Sequence, residues 1–294
     1  ERSGHVGEKA FAMRSGNWLI DPARVVIHQF AASNRLSFAD GDGNSSAWIE
    51  LFNPDTEPVL LAGWYLTDDP DNLKKWPFPP QTVLNGEQYM VVFASDQPTD
   101  NYVDAKGYLH TSFALERDGE YLALVSPDGR IAHEYRPGYP VQETDISYGM
   151  WFSTPHYFAL PTPGAANQQA FAGFADKTSH SYKRGFYTQP FNLQIISDTP
   201  GAVIHYTLDG SEPDEQNGLL YDPNVPVPIS ATTTVRSVAF KPGYHPSRVT
   251  THTYIFVDDV TGQPSNPSGW PADWGYSSDA GAIVPADYEM DPRV

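Results

Sequence analysis

The stretch Ala47-Trp48-Ile49-Glu50-Leu51-Phe52-Asn53-Pro54 decides the fold of this chain. In an extended chain successive side chains point to opposite sides, so Trp48 and Glu50 share one side. Ile49 and Leu51 point to the other side. This alternation is typical of a β-strand that has one face in a core.

A cluster of turn residues at 54–58 separates this strand from a second one at 64–66. Gly63 precedes the second strand, as expected where a chain bends tightly beneath a large ring. The run at 76–80, Trp-Pro-Phe-Pro-Pro, cannot be helical, because proline lacks a backbone donor and forces the residue before it to extended geometry. The segment is therefore predicted to be the first half of a β-sandwich.

Residues 24–167 resemble the lamin-tail domain through an ordered series of motifs. The matching stretches are an acidic Gly-rich loop (40–46), WIEL-N (48–53), L-GW-L-D (61–68), W-FP (76–79), an apolar strand (89–94), DGEYLALV (118–125) and PTPGAAN (161–167). Each motif is weak alone, and their order makes the resemblance specific. It implies an immunoglobulin-like fold for this half of the chain, in agreement with the predicted strands.

Composition predicts two all-β domains. The chain has 294 residues, enough for two separate cores, and its 27 prolines and 23 glycines accompany a lack of helical periodicity. Cysteine is absent, which excludes a disulfide framework, a thiolate zinc site and a cysteine nucleophile.

The formal net charge is −18 at pH 7. Binding to a nucleic-acid backbone or an anionic membrane needs basic patches, so neither is expected. No apolar run is long enough for a transmembrane helix, and no signal peptide is present in a chain that begins with Glu1. We expect a secreted or cell-surface protein, present here as a mature or excised fragment.

The second half is predicted to contain a smaller sandwich at 185–258, after a polar connector at 168–184. Alternation in 202–208 places Ile204 and Tyr206 on one face. This region resembles the C-terminal domain of chitobiases and β-hexosaminidases. The matching stretches are Gly201–Pro213, Thr232–Arg236 and Ala239–Gly243. In those enzymes the domain is an accessory one, so the resemblance implies an immunoglobulin- or fibronectin-like fold and no active-site residue.

Two terminal segments complete the predicted organisation: an arm of undetermined fold at 1–23 and a Pro/Gly/Trp-rich linker or tail at 259–294. The domain order resembles secreted multidomain bacterial proteins, in which a CotH-type kinase-like domain often follows. No phosphotransfer residue of such a domain is assigned in this chain.

The polar loop at 40–46 is the sharpest candidate for a metal site. Asp40, Asp42 and Asn44 alternate with other residues, and Glu50 follows nearby. Oxygen ligands at alternate positions can surround Ca²⁺, because glycine lets such a loop curl. The loop departs from the EF-hand pattern, with Ser45 in place of the required glycine. The alternative is a plain polar turn.

Aromatic residues favour a carbohydrate-binding role. Trp151, Tyr157 and Phe158 occur in a proline-flanked stretch that is predicted to be a loop, and exposed aromatic patches usually mark contact sites. The alternative is core packing, since aromatic side chains fill β-sandwich interiors.

The sequence therefore predicts a non-catalytic extracellular module that binds or positions polysaccharide or a cell-surface protein. No nucleophile elbow, P-loop, dinucleotide motif or zinc-protease motif is present, and no catalytic residue is assigned. One alternative is a self-associating structural subunit of a cell-surface assembly. Another is the accessory N-terminal part of a larger hydrolase or CotH-type kinase-like protein.

Overall fold

The computed structural model describes residues 25–99 and 101–289, and the chain divides into two compact units, Glu1–Ala170 and Phe171–Val294. The predicted arm at 1–23 lies outside the described residues. Within the described residues nearly all regular structure is β, with a single five-residue helix. The all-β prediction is confirmed. No helix in these ranges is long and apolar enough to cross a bilayer.

Unit 1 is built from short strands in two main sheets. The described strands are β1 (Val26–Ala31), β2 (Ala47–Phe52), β3 (Val59–Leu60), β4 (Tyr65–Thr67), β5 (Trp76–Pro77), β6 (Val83–Leu84), β7 (Tyr89–Ala94), β8 (Leu109–His110), β9 (Leu122–Val125), β10 (Ile131–Tyr135), β11 (Ser147–Trp151), β12 (Thr154–Phe158) and β13 (Ala170–Phe171). One sheet has the order β13-β12-β11-β1-β2-β7-β8, the other β10-β9-β4-β5, and β3 pairs with β6. The division between the units falls within β13.

Side chains from both main sheets form one buried cluster, as expected of a sandwich. Ile49 and Leu51 of β2 belong to it together with Leu66 of β4 and Leu122 and Leu124 of β9, and all five are completely buried. Burying each such side chain contributes about 1.5–3 kcal/mol. This cluster is the core that the alternation in β2 predicts.

The other face of β2 is also buried, which the alternation did not predict. Trp48 and Phe93 are inaccessible to solvent on this side. The ring of Phe38, from the loop before β2, stacks on Phe93 at 5.5 Å between centroids, and Tyr108 packs edge-on against both phenyl rings. Loops therefore cover the outer face of the large sheet and give unit 1 a second, smaller core.

An irregularity in the β1–β2 ladder aims two polar side chains at Glu50. Ile27 pairs with Leu51 and Gln29 pairs with Glu50, so His28 is an extra residue on β1. Such a β-bulge locally redirects the side chains of the bulged strand. Both His28 and Gln29 reach the carboxylate as a result.

The Glu50 carboxylate is completely buried and holds several segments together. Its Oε1 atom lies 2.8 Å from His28 Nδ1 and accepts a 3.0 Å hydrogen bond from Gln29 Nε2. The Gly164 N–H donates to Oε2. Ser147 of β11 donates to Gln29 Oε1 at 2.8 Å. The network thus joins three neighbouring strands to the proline-rich segment that leaves unit 1.

Unit 2 contains a second sandwich. Its described elements are β14 (Ser179–His180), β15 (Gly185–Tyr187), β16 (Phe191–Leu193), β17 (Ile195–Ile196), β18 (Val203–Thr207), β19 (Leu219–Leu220), β20 (Val227–Ile229), β21 (Thr233–Phe240), β22 (Thr250–Phe256), α1 (Val257–Thr261), β23 (Asp273–Ser277) and β24 (Ala282–Pro285). The main sheet has the order β15-β22-β21-β18-β19. Its core includes Val235 and Tyr254 from that sheet and Leu193, Ile195 and Ile229 from the facing short strands.

Two predicted irregular segments contain regular structure. Residues 168–184 were predicted as a polar connector, but they contribute β14, which pairs with β17. Residues 259–294 were predicted as a linker or tail, but β23 and β24 form a hairpin within them. Strands of two to five residues have too few positions to show a period, so sequence alone did not reveal them.

Replacing Glu50 with alanine is expected to destabilise unit 1 by about 3–5 kcal/mol, because it leaves His28, Gln29 and the Gly164 N–H without their buried acceptor. Glu50→Gln keeps one acceptor oxygen and should cost less. Urea unfolding followed by tryptophan fluorescence measures both losses. The exposed Glu57→Ala is the control, and a loss below about 1 kcal/mol for Glu50→Ala would contradict this role.

Unit 2 is expected to lose stability in mild acid because of His180. Its Nε2 lies 2.9 Å from Ser237 Oγ and its Nδ1 lies 3.1 Å from Tyr254 Oη. Burial, followed by the nearby His252, lowers the pKa of His180 from 6.5 to about 4. The unfolded chain therefore takes up a proton first, and stability is full above pH 6.5 and falls as the pH drops towards 4.

The expected loss is about 2 kcal/mol at the acid end, allowing for solvent screening of a partly exposed ring. Hydrogen exchange of the β21 and β22 amides as a function of pH measures it. His180→Gln should flatten this dependence, whereas His156→Gln in unit 1 should leave it unchanged. An equally steep dependence in His180→Gln would show that another group is responsible.

Candidate functional site

The loop at 40–44 interlocks with the turn at 101–108. Asp40 Oδ1 accepts hydrogen bonds from the N–H groups of Asp42, at 3.0 Å, and Asn44, at 2.7 Å. Asp42 in turn accepts hydrogen bonds from the Tyr102 hydroxyl and from the Ala105 N–H. The carboxylates of Asp40 and Asp42 therefore accept hydrogen bonds from backbone N–H groups and from a tyrosine hydroxyl.

Asp104 is the buried centre of this region, and sequence analysis missed it. Its carboxylate accepts the N–H of Gly41 at 2.5 Å and the N–H groups of Lys106 and Tyr108, each at 2.9 Å. Burial by itself would raise the pKa of Asp104, but these donors together with His110 outweigh burial and hold the pKa below its usual value. Asp104 is therefore an ionised anchor for both loops.

The structure does not bring the four predicted metal ligands together. Asp40, Asp42 and Asn44 lie in one loop, whereas the Glu50 carboxylate is occupied by His28, Gln29 and Gly164. Including Glu50 in the ligand set was wrong, because it serves the strand network. Within residues 25–99 and 101–289, no group of three or more His, Cys, Asp or Glu side chains has an arrangement suited to a metal. The hydrogen bonds of the loop fit the polar-turn alternative, and calcium binding there stays a prediction.

A Ser–His–Asp chain lies beside this region. Ser95 Oγ is 2.8 Å from His110 Nδ1, and His110 Nε2 is 3.3 Å from Asp104 Oδ2. Ser95 also lines an open groove of about 360 Å³ that is walled mostly by alanine and serine. In hydrolase triads the serine contacts Nε2 and the aspartate contacts Nδ1, so the two nitrogens are exchanged here. Asp104 also accepts hydrogen bonds from three backbone N–H groups. The Ser95–His110–Asp104 set therefore links the two loops structurally.

The three aromatic residues predicted to bind a ligand separate into one surface residue and two core residues. Tyr157 and Phe158 are buried on β12, with the Tyr157 hydroxyl donating to Val141 O at 2.9 Å, so their predicted exposure is wrong. Trp151 is half-exposed at the end of β11. The stretch is a β-hairpin, not a loop. Tyr157 and Phe158 are successive residues of β12 and point to opposite faces of the sheet, so both faces are covered at this point.

The tip of this hairpin exposes an aromatic residue that the sequence analysis did not select. Phe152, the first residue of the two-residue turn between β11 and β12, is 89% exposed. Its φ is 55°, a conformation that costs a bulky L-residue about 1–2 kcal/mol. The centroid of its ring lies 5.1 Å from that of Trp151. The Trp151 ring in turn lies 6.1 Å, between centroids, from the ring of the buried Phe158. We call Trp151 and Phe152 the hairpin-tip pair.

Part of each unit matches the model of a known domain family. Residues 22–138 match the Lamin Tail Domain. Residues 191–254 match the domain described as "Fn3 associated". The lamin-tail resemblance and the immunoglobulin-like fold of the first domain are thereby confirmed, and a second β domain of fibronectin-associated type follows it. Both are non-catalytic modules. Neither match is to a chitobiase or CotH-type domain, so that part of the resemblance stays a prediction.

None of the curated proteins matches this chain. Among solved structures, the crystal structure of murine CEACAM1b aligns at 10% identity over 79% of this chain and 100% of its own, with a TM-score of 0.22. A likeness at this level carries no argument about function.

The calcium prediction for residues 40–44 can be tested directly. Ca²⁺ titrated into the chelator-treated chain is expected to release heat and raise the melting temperature of unit 1, because a cation would offset repulsion among Asp40, Asp42 and Asp104. Asp42→Asn should weaken both effects. Asp118→Asn, at an exposed turn, is the matched control, and a titration without heat would contradict the site.

Proposed function

We propose that this chain is a non-catalytic extracellular module that binds polysaccharide on a cell surface through the hairpin-tip pair and positions whatever is attached to it. The observation that carries the proposal is the exposed Phe152, held in a strained conformation beside Trp151. Strained residues and exposed apolar side chains both concentrate at contact sites.

The chemistry of the pair fits sugar rings. The apolar C–H face of a sugar can stack on an aromatic ring, and a sandwich sheet provides a stable base for that ring. Trp151 lies on the buried Phe158, and five residue pairs in register join the two strands of the hairpin. The contact surface is therefore positioned before binding, which lowers the entropy lost when a ligand is bound.

The net charge of the chain disfavours a polyanionic ligand. The chain carries 36 acidic and 18 basic residues, so a polyanion such as nucleic acid would be repelled. The non-catalytic type of both matched domains supports a binding role. The resemblance to chitobiase-like and CotH-containing proteins also supports a non-catalytic role for these residues.

Self-association is a second candidate, favoured by an exposed edge in unit 2. The edge strand β19 of the main sheet exposes both of its residues, Leu219 and Leu220. Exposed apolar edge strands pair readily with other chains. Light scattering at high protein concentration tests this candidate, and a monomer with and without Ca²⁺ would contradict it.

Removing both rings of the hairpin-tip pair, Trp151→Ala with Phe152→Ala, is expected to weaken retention on insoluble cellulose, chitin or cell-wall polysaccharide by about tenfold. Leu160→Ala, at another exposed apolar residue, is the matched control. Unchanged retention in the double variant, or no retention of the unmodified chain on any of these polymers, would contradict the proposal.

The single variant Phe152→Gly separates binding from folding. Glycine adopts positive φ without strain, so this variant should unfold at the same or a higher urea concentration while binding weakens. A loss of stability in Phe152→Gly would indicate that the ring serves packing instead.

A further inference from the structure

The C-terminal hairpin of unit 2 carries a second group of exposed aromatic rings. Trp270, just before β23, and Trp274, within β23, are each 59% exposed. The ring centroids of both lie close to that of Tyr288, at 5.0 Å and 4.8 Å. We call these three residues the aromatic cluster. Tyr276, on the same hairpin, is also exposed.

Hydrogen bonds hold the central ring of this cluster in place. The Tyr288 hydroxyl donates to Pro271 O at 3.0 Å, and the Tyr288 N–H donates to Ser265 O at 3.0 Å. Gln263 Nε2 donates to Tyr288 O at 2.6 Å. Both indole rings therefore pack against the Tyr288 ring, which hydrogen bonds hold in place. This packing partly orders the indole rings before a ligand binds.

The cluster lies in a segment of one charge sign. Residues 257–289 contain six carboxylates and no Lys, Arg or His; the carboxylates are Asp258, Asp259, Asp273, Asp279, Asp287 and Glu289. Asp273 immediately precedes Trp274, and Asp287 immediately precedes Tyr288. Each of these two exposed side chains uses Oδ1 to accept one backbone N–H, from Gly275 and Glu289 respectively. Arg293 follows outside the described residues.

Aromatic faces attract cations, and so does a segment whose charged residues are all carboxylates. A positive charge over an indole face gains about 0.5–2 kcal/mol, and tryptophan is the best ring for this contact. A carboxylate nearby adds charge complementarity. A neutral sugar would use the rings alone and leave this concentration of negative charge without a counterpart.

From these observations we infer that the aromatic cluster binds a polymer of amino sugars with free, protonated amines. The flat indole faces stack on sugar rings, while Asp273 and Asp287 attract the ammonium groups. A cationic peptide supplies the charge but lacks flat rings to cover both indoles. The inference rests on the proposed polysaccharide-binding role, but it uses a separate site in unit 2.

Binding of soluble glucosamine oligomers to the full chain, measured by calorimetry, tests this inference. Trp270→Ala with Trp274→Ala leaves the net charge unchanged and should weaken binding by about tenfold. A variant of unchanged net charge is needed because a chain of net charge −18 attracts any polycation. Trp270→Phe with Trp274→Phe keeps aromatic faces and should retain most of the affinity, which distinguishes lost binding from misfolding.

Charge is tested separately from stacking. In Asp273→Asn with Asp287→Asn the side-chain oxygen can still accept the backbone N–H, so the turns are kept while two charges are lost. This variant should bind about threefold more weakly and depend less on salt. The hairpin-tip variant of unit 1 should bind these oligomers as the unmodified chain does, so failure of that site and failure of this one can be told apart.

Three results would overturn the inference. One is absence of binding by glucosamine oligomers, and another is equal binding in the Trp270→Ala, Trp274→Ala variant. The third is equal affinity for fully acetylated oligomers or for oligolysine, because the first lacks the charge and the second lacks the sugar rings.

Discussion

A single buried carboxylate organises the first unit. A carboxylate in a protein interior is costly unless its oxygens are hydrogen-bonded. Glu50 meets this condition only because a bulge at His28 turns two side chains towards it and the chain returns at Gly164 to donate a backbone N–H. Strand register, bulge and exit segment are therefore mutually dependent. The close approach of β11 belongs to the same constraint, since any side chain at Gly149 would collide with the backbone at His28.

The interior is devoted to packing and to this network, and the two proposed binding sites are exposed aromatic rings at hairpins. The two units present comparable features: the hairpin-tip pair in unit 1 and the aromatic cluster in unit 2. Each has an exposed ring supported by another aromatic residue, and each belongs to a hydrogen-bonded hairpin. They differ in charge, because the segment 257–289 that contains the second has six carboxylates and no basic residue. This difference in charge is the reason that the two proposals name different ligands.

The Ser95–His110–Asp104 chain shows why a set of residue types does not establish an activity. The three side chains lie within hydrogen-bonding distance, but Asp104 is committed to the backbone of two loops and the imidazole is turned the other way round from a hydrolase triad. Its role follows from these additional contacts. The interlocked loops, in turn, cover Trp48 and Phe93 and so complete the outer core of unit 1.

The sequence by itself determined the all-β class, the main strands and the lamin-tail type of the first domain. These features depend on local alternation and on proline and glycine positions, which act over a few residues. Tertiary structure alone decided which polar residues meet. Nothing local distinguishes Glu50, a network centre, from Asp40, a loop acceptor, or links Asp104 to Gly41. It also decided that Tyr157 and Phe158 are buried while Phe152 is exposed, because the exposure of a ring depends on what the rest of the chain packs against it.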